Sequence, residues 1–289
     1  MLKDIAWLPT FDYSVPSAES GQQDKFLFPW ARDSGSFEGG QHVDGYTLSL
    51  RKPSATRLAS DAWLCSYSKA LLFAPSPPSQ AFSAIFGFLD PLPDNVLVQQ
   101  LRSLARNVND VLAHRKLQPL ELQLLSMNVS SIYYKLNDAL SKSSPPQSVV
   151  AKVLQSEPWI WCGSRFCRSQ EVATNFPFDL SPFLFRLPPE VAAFPALCRA
   201  ANIQTNFAPS QLLHCLHSLA TGRSSTAPNE KSSRPKLPTS TSESESVPQP
   251  VPPEMVGRIV SVVTMIATTC GNVKHLIASE GIDLFCTDL

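Results

Sequence analysis

Proline governs what this chain can build: its 289 residues hold 26 prolines against 11 glycines. Each proline fixes φ and lacks an N–H, so it caps, kinks or interrupts an element. The pattern predicts short elements with rigid joins, and long helices only between prolines. Pro93–Asp94 opens the first such helix, with Asp94 expected as its N-cap. Leu97, Leu101, Leu104, Val108 and Val111 then recur at spacings of three and four, the helical period. A second helix follows Pro119, with Leu122, Leu125, Val129, Ile132, Tyr133, Leu136 and Leu140 as its apolar stripe. Ser143-Ser144-Pro145-Pro146 ends it and leads into a third, with Val149, Val150, Val153 and Leu154 inward.

The rest of the chain is less regular. Residues 1–60 read as irregular apart from Trp7-Leu8-Pro9, the end of a short strand, and the apolar break Lys25-Phe26-Leu27-Phe28-Pro29-Trp30. Leu71-Leu72-Phe73 reads as a short buried strand or turn. Pro188-Pro189-Glu190 starts a further helix with Val191, Phe194, Leu197 and Cys198 on one face, and Pro209-Ser210 another with Leu212, Leu213, Leu216 and Leu219. Residues 221–253 are Ser, Thr and Pro with scattered charges, a composition that cannot repay its ordering entropy, so disorder is expected there. An amphipathic helix over 254–269 follows, and Lys274 to Leu289 reads as the start of a further segment cut short. The predicted fold is α+β, mainly helical with a few short strands and long irregular connections. Its predicted divisions are an irregular, short-strand segment 1–92, a helical module 93–220, the insert 221–253 and the terminal segment 254–289.

Charge excludes whole classes of partner. Lys plus Arg is 24 and Asp plus Glu is 24, and charged residues make up 17% of the chain. No field of one sign exists to attract DNA, RNA or an anionic membrane, so neither nucleic acid nor membrane is an expected partner. No run approaches the ~20 apolar residues of a membrane span. Seven scattered cysteines, an odd number, argue against a disulfide scaffold and for reduced thiols in a cytoplasmic setting.

Large aromatics cluster at Trp159-Ile160-Trp161-Cys162-Gly163 and Phe166. Rings this close anchor a fold or an interface. If the segment is a strand, Trp159 and Trp161 point to the same side. Trp159, Trp161, Phe166 and Tyr133 are therefore the candidate packing or interaction anchors.

The order of several segments resembles the repeats of the sacsin family. Gly87-Phe88-Leu89-Asp90-Pro91-Leu92-Pro93, with Gln99-Gln100-Leu101 after it, resembles the stretch before the helices of those repeats. Ile132-Tyr133-Tyr134-Lys135-Leu136 is similar to their tyrosine-bearing helix, and Glu157 to Gly163 with Phe166 to their aromatic segment. Pro182-Phe183-Leu184-Phe185-Arg186-Leu187-Pro188 resembles the proline–leucine turn that follows, and Phe194, Leu197, Ile203 and Phe207 fit the next helix and its exit. With Trp7-Leu8-Pro9 the match spans most of residues 5–220. Ser164 and Arg165 stand where the family often has an acidic residue. The resemblance implies a non-ATPase part of a sacsin-like chaperone or co-chaperone, whose modules begin with an Hsp90-like ATP-binding domain. It implies protein partners, Hsp70-type chaperones among them through the full-length protein, and a link to intermediate filaments.

No catalytic set stands out, and no enzyme activity or cofactor is expected; the alternatives to a chaperone part are an independent scaffold or interaction protein and, behind it, an unidentified enzyme using His214 and His217. His214-Cys215-Leu216-His217, with Cys198 as the only nearby addition, falls short of the roughly four ligands of a structural zinc site. Cys162 and Cys167 lack the two-residue spacing of a redox pair. Cys65 has only His42 and Asp44 near it in sequence as nucleophile partners. The Gly-rich run Asp33 to Gly40 lacks the Gly-Lys-Ser/Thr of a phosphate cradle. Asn128-Val129-Ser130 matches a glycosylation sequon but lies in a predicted helix.

Overall fold

A computed structural model describes residues 2–12, 27–28, 47–73, 77–142, 149–176, 180–221 and 253–269. The fold is mixed α+β and mainly helical, with short strands and long loops. The chain divides into two units, Met1–Gln170 with Leu187–Ile203, and Glu171–Arg186 with Gln204–Leu289. The stretch expected to be disordered, 221–253, lies outside the described residues except for its two ends, as does Lys274–Leu289.

The first unit begins with a four-stranded sheet where the sequence reads as mostly irregular. Strands β1 (Leu8–Asp12) and β2 (Thr47–Arg51) pair antiparallel, with Thr10 opposite Ser49. β3 (Thr56–Arg57) lies parallel to β4 (Ala70–Leu72), and the order across the sheet is β2-β1-β4-β3. These strands are two to five residues long and come together across wide gaps in sequence, which leaves little alternation to read along the chain. A polar ladder runs along one face: the Thr10 hydroxyl donates to the Ser49 carbonyl at 3.0 Å, and Arg51 pairs with the buried Asp12 at 2.6 Å. The other face carries Phe11 against Phe73 at 4.8 Å between ring centroids. Leu48 and Leu50 of edge strand β2 are exposed.

Two short helices lie between sheet and bundle: α1 (Ala62–Cys65) and α2 (Gln80–Ile85). Ser79 caps α2 by accepting the Phe82 N–H. Its far end closes with the N–H of Gly87 on the Ala84 carbonyl and that of Phe88 on the Ser83 carbonyl. This motif needs a left-handed residue. Gly87 supplies it at φ +73°, and a Cβ there would come within 2.7 Å of the Asp90 carboxylate.

The long helices are α3 (Asp94–His114) and α4 (Pro119–Lys142), followed by α5 (Val149–Ser156). Leu97, Leu101, Leu104 and Val108 of α3 are buried, as expected. The N-cap differs: Pro93, already extended, takes that position, and Asp94 is the first helical residue, so it has no side-chain cap bond to make. In α4, Leu125, Val129, Ile132, Tyr133 and Leu136 are buried, but Leu122 is 41% exposed. Glu121 stands four residues before Leu125 and takes the inward position, which turns Leu122 about 100° away from it. The single helix expected after Pro188 is two, α6 (Pro189–Ala192) and α7 (Pro195–Ala200), because Pro195 cannot continue α6 and starts a new helix instead. The Asn137 side chain accepts the Ala196 and Leu197 N–H groups, pinning the start of α7 to α4.

Between α5 and α6 the first unit contributes a hairpin, β5 (Ile160–Trp161) and β6 (Phe166–Cys167), with Ile160 opposite Cys167. The second unit holds a parallel pair, β7 (Val172–Ala173) and β8 (Phe185–Arg186), and the helices α8 (Pro209–Thr221) and α9 (Pro253–Thr269), which pack together. Its core gathers Phe176, Leu180, Leu184, Phe207, Leu212, Leu216, Val262 and Ile266, with Phe176 and Phe207 edge to face at 4.7 Å. Arg258 ties α9 to the Ser181 carbonyl at 2.8 Å. No described helix is long and apolar enough to cross a membrane.

Candidate functional site

Tyr133, Trp159, Trp161 and Phe166, singled out from the sequence, meet at the β5–β6 hairpin. The turn between the strands needs a left-handed residue, and Gly163 at φ +83° provides it. The Trp159 N–H donates to the Cys167 carbonyl and the Cys162 N–H to the Arg165 carbonyl, both at 3.0 Å, which closes the hairpin. Asn109 of α3 then fixes it to the bundle by accepting the Phe166 N–H at 2.9 Å and donating to the Phe166 carbonyl at 3.2 Å.

Tyr133 is the centre of this arrangement. Its hydroxyl donates to the Trp159 carbonyl and accepts the Trp161 N–H at 3.1 Å, so one phenol bridges two residues of the hairpin. Burial holds that phenol far above its ordinary pKa, so it stays a donor. The Tyr133 ring meets Trp159 edge to face at 5.5 Å and Phe194 at 6.0 Å. The Trp159 indole N–H donates to Ser169 Oγ at 3.1 Å, and Ser169 in turn donates to the Leu154 carbonyl. A buried indole or phenol normally finds such a partner.

The two tryptophans are not equivalent. Trp159 is 2% exposed. Trp161 is half-buried and lies over Phe166 at 5.2 Å. Trp159 lies at the start of the hairpin, bonded across it to the Cys167 carbonyl, yet the surrounding core covers its ring far more than that of Trp161. Of the four anchors, only Trp161 is not fully buried.

Burial raises two of the candidate thiols. Cys65 is fully buried, and burial, with the nearby Asp61 carboxylate adding to it, pushes its thiol up to about 12. A thiol held so high is no nucleophile at neutral pH. Its proposed partners His42 and Asp44 lie outside the described residues, as does the Gly-rich run 33–40. His214 and His217 are exposed on α8 while Cys215 is buried, its thiol pushed up to about 11 by burial. Among the described residues no three His, Cys, Asp or Glu side chains are grouped to hold a metal. Cys162 and Cys167 are thiols on the hairpin, where Cys167 is opposite Ile160 rather than Cys162. Asn128 of the sequon is 1% exposed in the middle of α4, which closes it to a glycosyl carrier in the folded chain.

Sequence reasoning passed over two polar centres in the first unit. Arg57, buried at the end of β3, donates through Nη1 to the carbonyls of Gly87, Phe88 and Asp90 at 2.8–3.2 Å. It thus gathers the backbone of the Gly-Phe-Leu-Asp motif beside an open cleft of about 300 Å³, lined by Lys3, Thr56, Phe86 and Asp90 among others. The second centre is Glu121, fully buried, with two donors on each oxygen. Arg115 reaches both oxygens at 2.7 Å, the Gln118 N–H donates to Oε2 at 2.9 Å and the Leu27 N–H to Oε1 at 3.0 Å. Burial alone would raise its pKa, but the Arg115 guanidinium and the two backbone N–H groups outweigh it and hold the carboxyl below its usual range. An acidic residue at an inward position of the apolar stripe was the available signal for Glu121.

No family model, curated protein or solved structure matches this chain.

Proposed function

We propose that this chain is a non-catalytic interaction region, one that holds its partners by surface contact and not by chemistry. The observation that carries this reading is the Tyr133 knot: the most distinctive residues of the chain are spent on satisfying one another and on fixing a hairpin that presents Trp161. A second feature supports it. Leu120, Met127 and Tyr134 stand at spacings of seven along α4 and are all more than half exposed, an apolar stripe on the side away from the core. The ordered resemblance of residues 5–220 to sacsin repeats supplies the context: a part of a chaperone or co-chaperone that supports an ATPase module and positions protein partners, Hsp70-type chaperones among them. The scattered cysteines favour a cytoplasmic setting.

The test is a binding assay with an unfolded client protein, run beside an ATP hydrolysis assay. Trp161→Ala is expected to weaken client binding several-fold while leaving the thermal melt nearly unchanged. Hydrolysis of ATP by this chain alone would overturn the proposal, and so would client binding indifferent to Trp161 and to Met127→Ser together.

A further inference from the structure

Arg57 is a buried cation that no described carboxylate neutralises. It is 8% exposed, and among the described residues no Asp or Glu stands at ion-pair distance from its guanidinium. Buried charges are as a rule paired, because an unpaired one gives up its hydration without return. The carbonyls of Gly87, Phe88 and Asp90 take Nη1 alone. Nε and Nη2 have no partner among the described residues, and neither atom is sealed from solvent. Asp61 senses the guanidinium, but burial outweighs that pull and raises the Asp61 carboxyl above its ordinary pKa, where a close ion pair would have lowered it.

The three carbonyls fix the plane of the guanidinium, and Arg57 forms part of the wall of the open cleft of about 300 Å³. Lys3 brings a second cation to that wall. Lys69 steadies the rim by donating to the carbonyl of Ser54, another lining residue, at 3.0 Å. One lining carboxylate, Asp90, stands against Arg57 and Lys3, which leaves the wall with an excess of positive charge. Pro53 and Phe86 add apolar surface beside these charges. The volume lies at the lower end of the range for small-ligand sites, so it admits a small molecule and not a folded partner.

We propose that this cleft binds the oxyanion group, phosphate or carboxylate, of a small molecule, with the free N–H groups of Arg57 donating to it and Lys3 adding charge. Both groups offer paired oxygens to the donor fork of a guanidinium. The proposal does not depend on the client-binding reading, since Trp161 is not a lining residue.

The probes are inorganic phosphate and acetate, titrated at constant ionic strength into the full isotope-labelled chain. The Arg57 Nε–H signal is followed by NMR, with chloride as the control. At least one probe is expected to shift that signal to saturation with a Kd on the order of 1–10 mM and to leave the Phe166 amide in place. The tighter of the two probes names the ligand's anionic group. Lys3 and Asp90 are exposed, and their side chains make no hydrogen bond or ion pair among the described residues, so their substitution spares the fold. Lys3→Ala is expected to weaken binding about threefold and Asp90→Asn to tighten it about threefold, each through one charge at the cleft. An Arg57 signal unmoved by both probes, or moved equally by chloride, overturns the proposal. So do two variants that both bind the probes as the natural chain does.

Discussion

The β5–β6 hairpin and the Leu27–Phe28 seat lie in the same unit and are buried to a similar degree, yet they are closed in opposite ways. The hairpin is closed from within a short stretch: Trp159 to Ser169 supplies both strands, the turn at Gly163 and the hydroxyl that receives the Trp159 indole N–H. Helices α3 and α4 need add only Asn109 and Tyr133. The seat is closed by groups far apart in the chain: the Leu27 N–H donates to Glu121 Oε1 and the Leu27 carbonyl accepts from the Tyr67 hydroxyl. A locally closed element cannot be replaced without rebuilding it. The difference separates an element closed by its own residues from one closed by the body around it.

The largest effect expected from breaking this contrast is at Trp159. Trp159→Ala empties a buried site and strands Ser169, and it should cost roughly 3–5 kcal/mol in urea unfolding, against about 1 kcal/mol or less for Trp161→Ala. Equal costs for the two would undo the distinction between the buried and the partly buried ring. Next comes the seat. Glu121→Ala removes four accepted bonds and takes the carboxylate from Arg115 and from two N–H groups, for a loss of roughly 3 kcal/mol.

The same carboxylate gives the seat a pH dependence. Its folded pKa lies below the usual carboxylate value, so its contribution is fully present above the unfolded value of about 4.3 and is lost as pH falls through the folded value. Between about pH 5 and pH 3 the natural chain should lose more stability than Glu121→Gln, measured by chemical denaturation at each pH. Parallel losses would show that Glu121 is not held ionised.

Smaller effects sharpen the comparison on the hairpin side. Tyr133→Phe keeps the ring contacts but deletes the phenol that bridges Trp159 and Trp161, and should cost about 1–2 kcal/mol. An unchanged midpoint would mean that the rings alone fix the hairpin. The smallest effect is expected at the end of α7. There Asn202 holds φ at +54° while its N–H bonds the Arg199 carbonyl and that of Ile203 bonds the Cys198 carbonyl. Asn202→Gly relieves that left-handed strain and should raise stability by a few tenths of a kcal/mol.

What could be read beforehand follows the same divide. Helices α3 and α4 were legible because a long apolar repeat of period 3.6 has no other reading. The four anchors were legible as a group because Trp159, Trp161 and Phe166 are neighbours in sequence. Their unequal burial was not, since it turns on Tyr133 and Ser169 meeting the Trp159 indole in the folded chain. The N-terminal sheet escaped because Thr56–Arg57 and Ala70–Leu72 are too short for alternation to show. Glu121 and Tyr67 escaped for a different reason. Their meaning comes from Leu27, and no spacing in the sequence brings the three together. Buried Asn128 is a related case: its side-chain amide has no partner among the described residues, and the sequon it opens does not foretell that.

The contrast between hairpin and seat is tested most directly by native-state hydrogen exchange at two amides, those of Leu27 and Phe166. Both are hydrogen-bonded to a side chain, to Glu121 and to Asn109 respectively. Local openings have lower free energies than global unfolding, and two side-chain bonds hold the Leu27 main chain where the hairpin has its own ladder. The Leu27 amide should exchange through an opening of lower free energy and little dependence on denaturant, while the Phe166 amide exchanges only with global unfolding. Identical exchange free energies and identical denaturant slopes at the two amides would contradict the account.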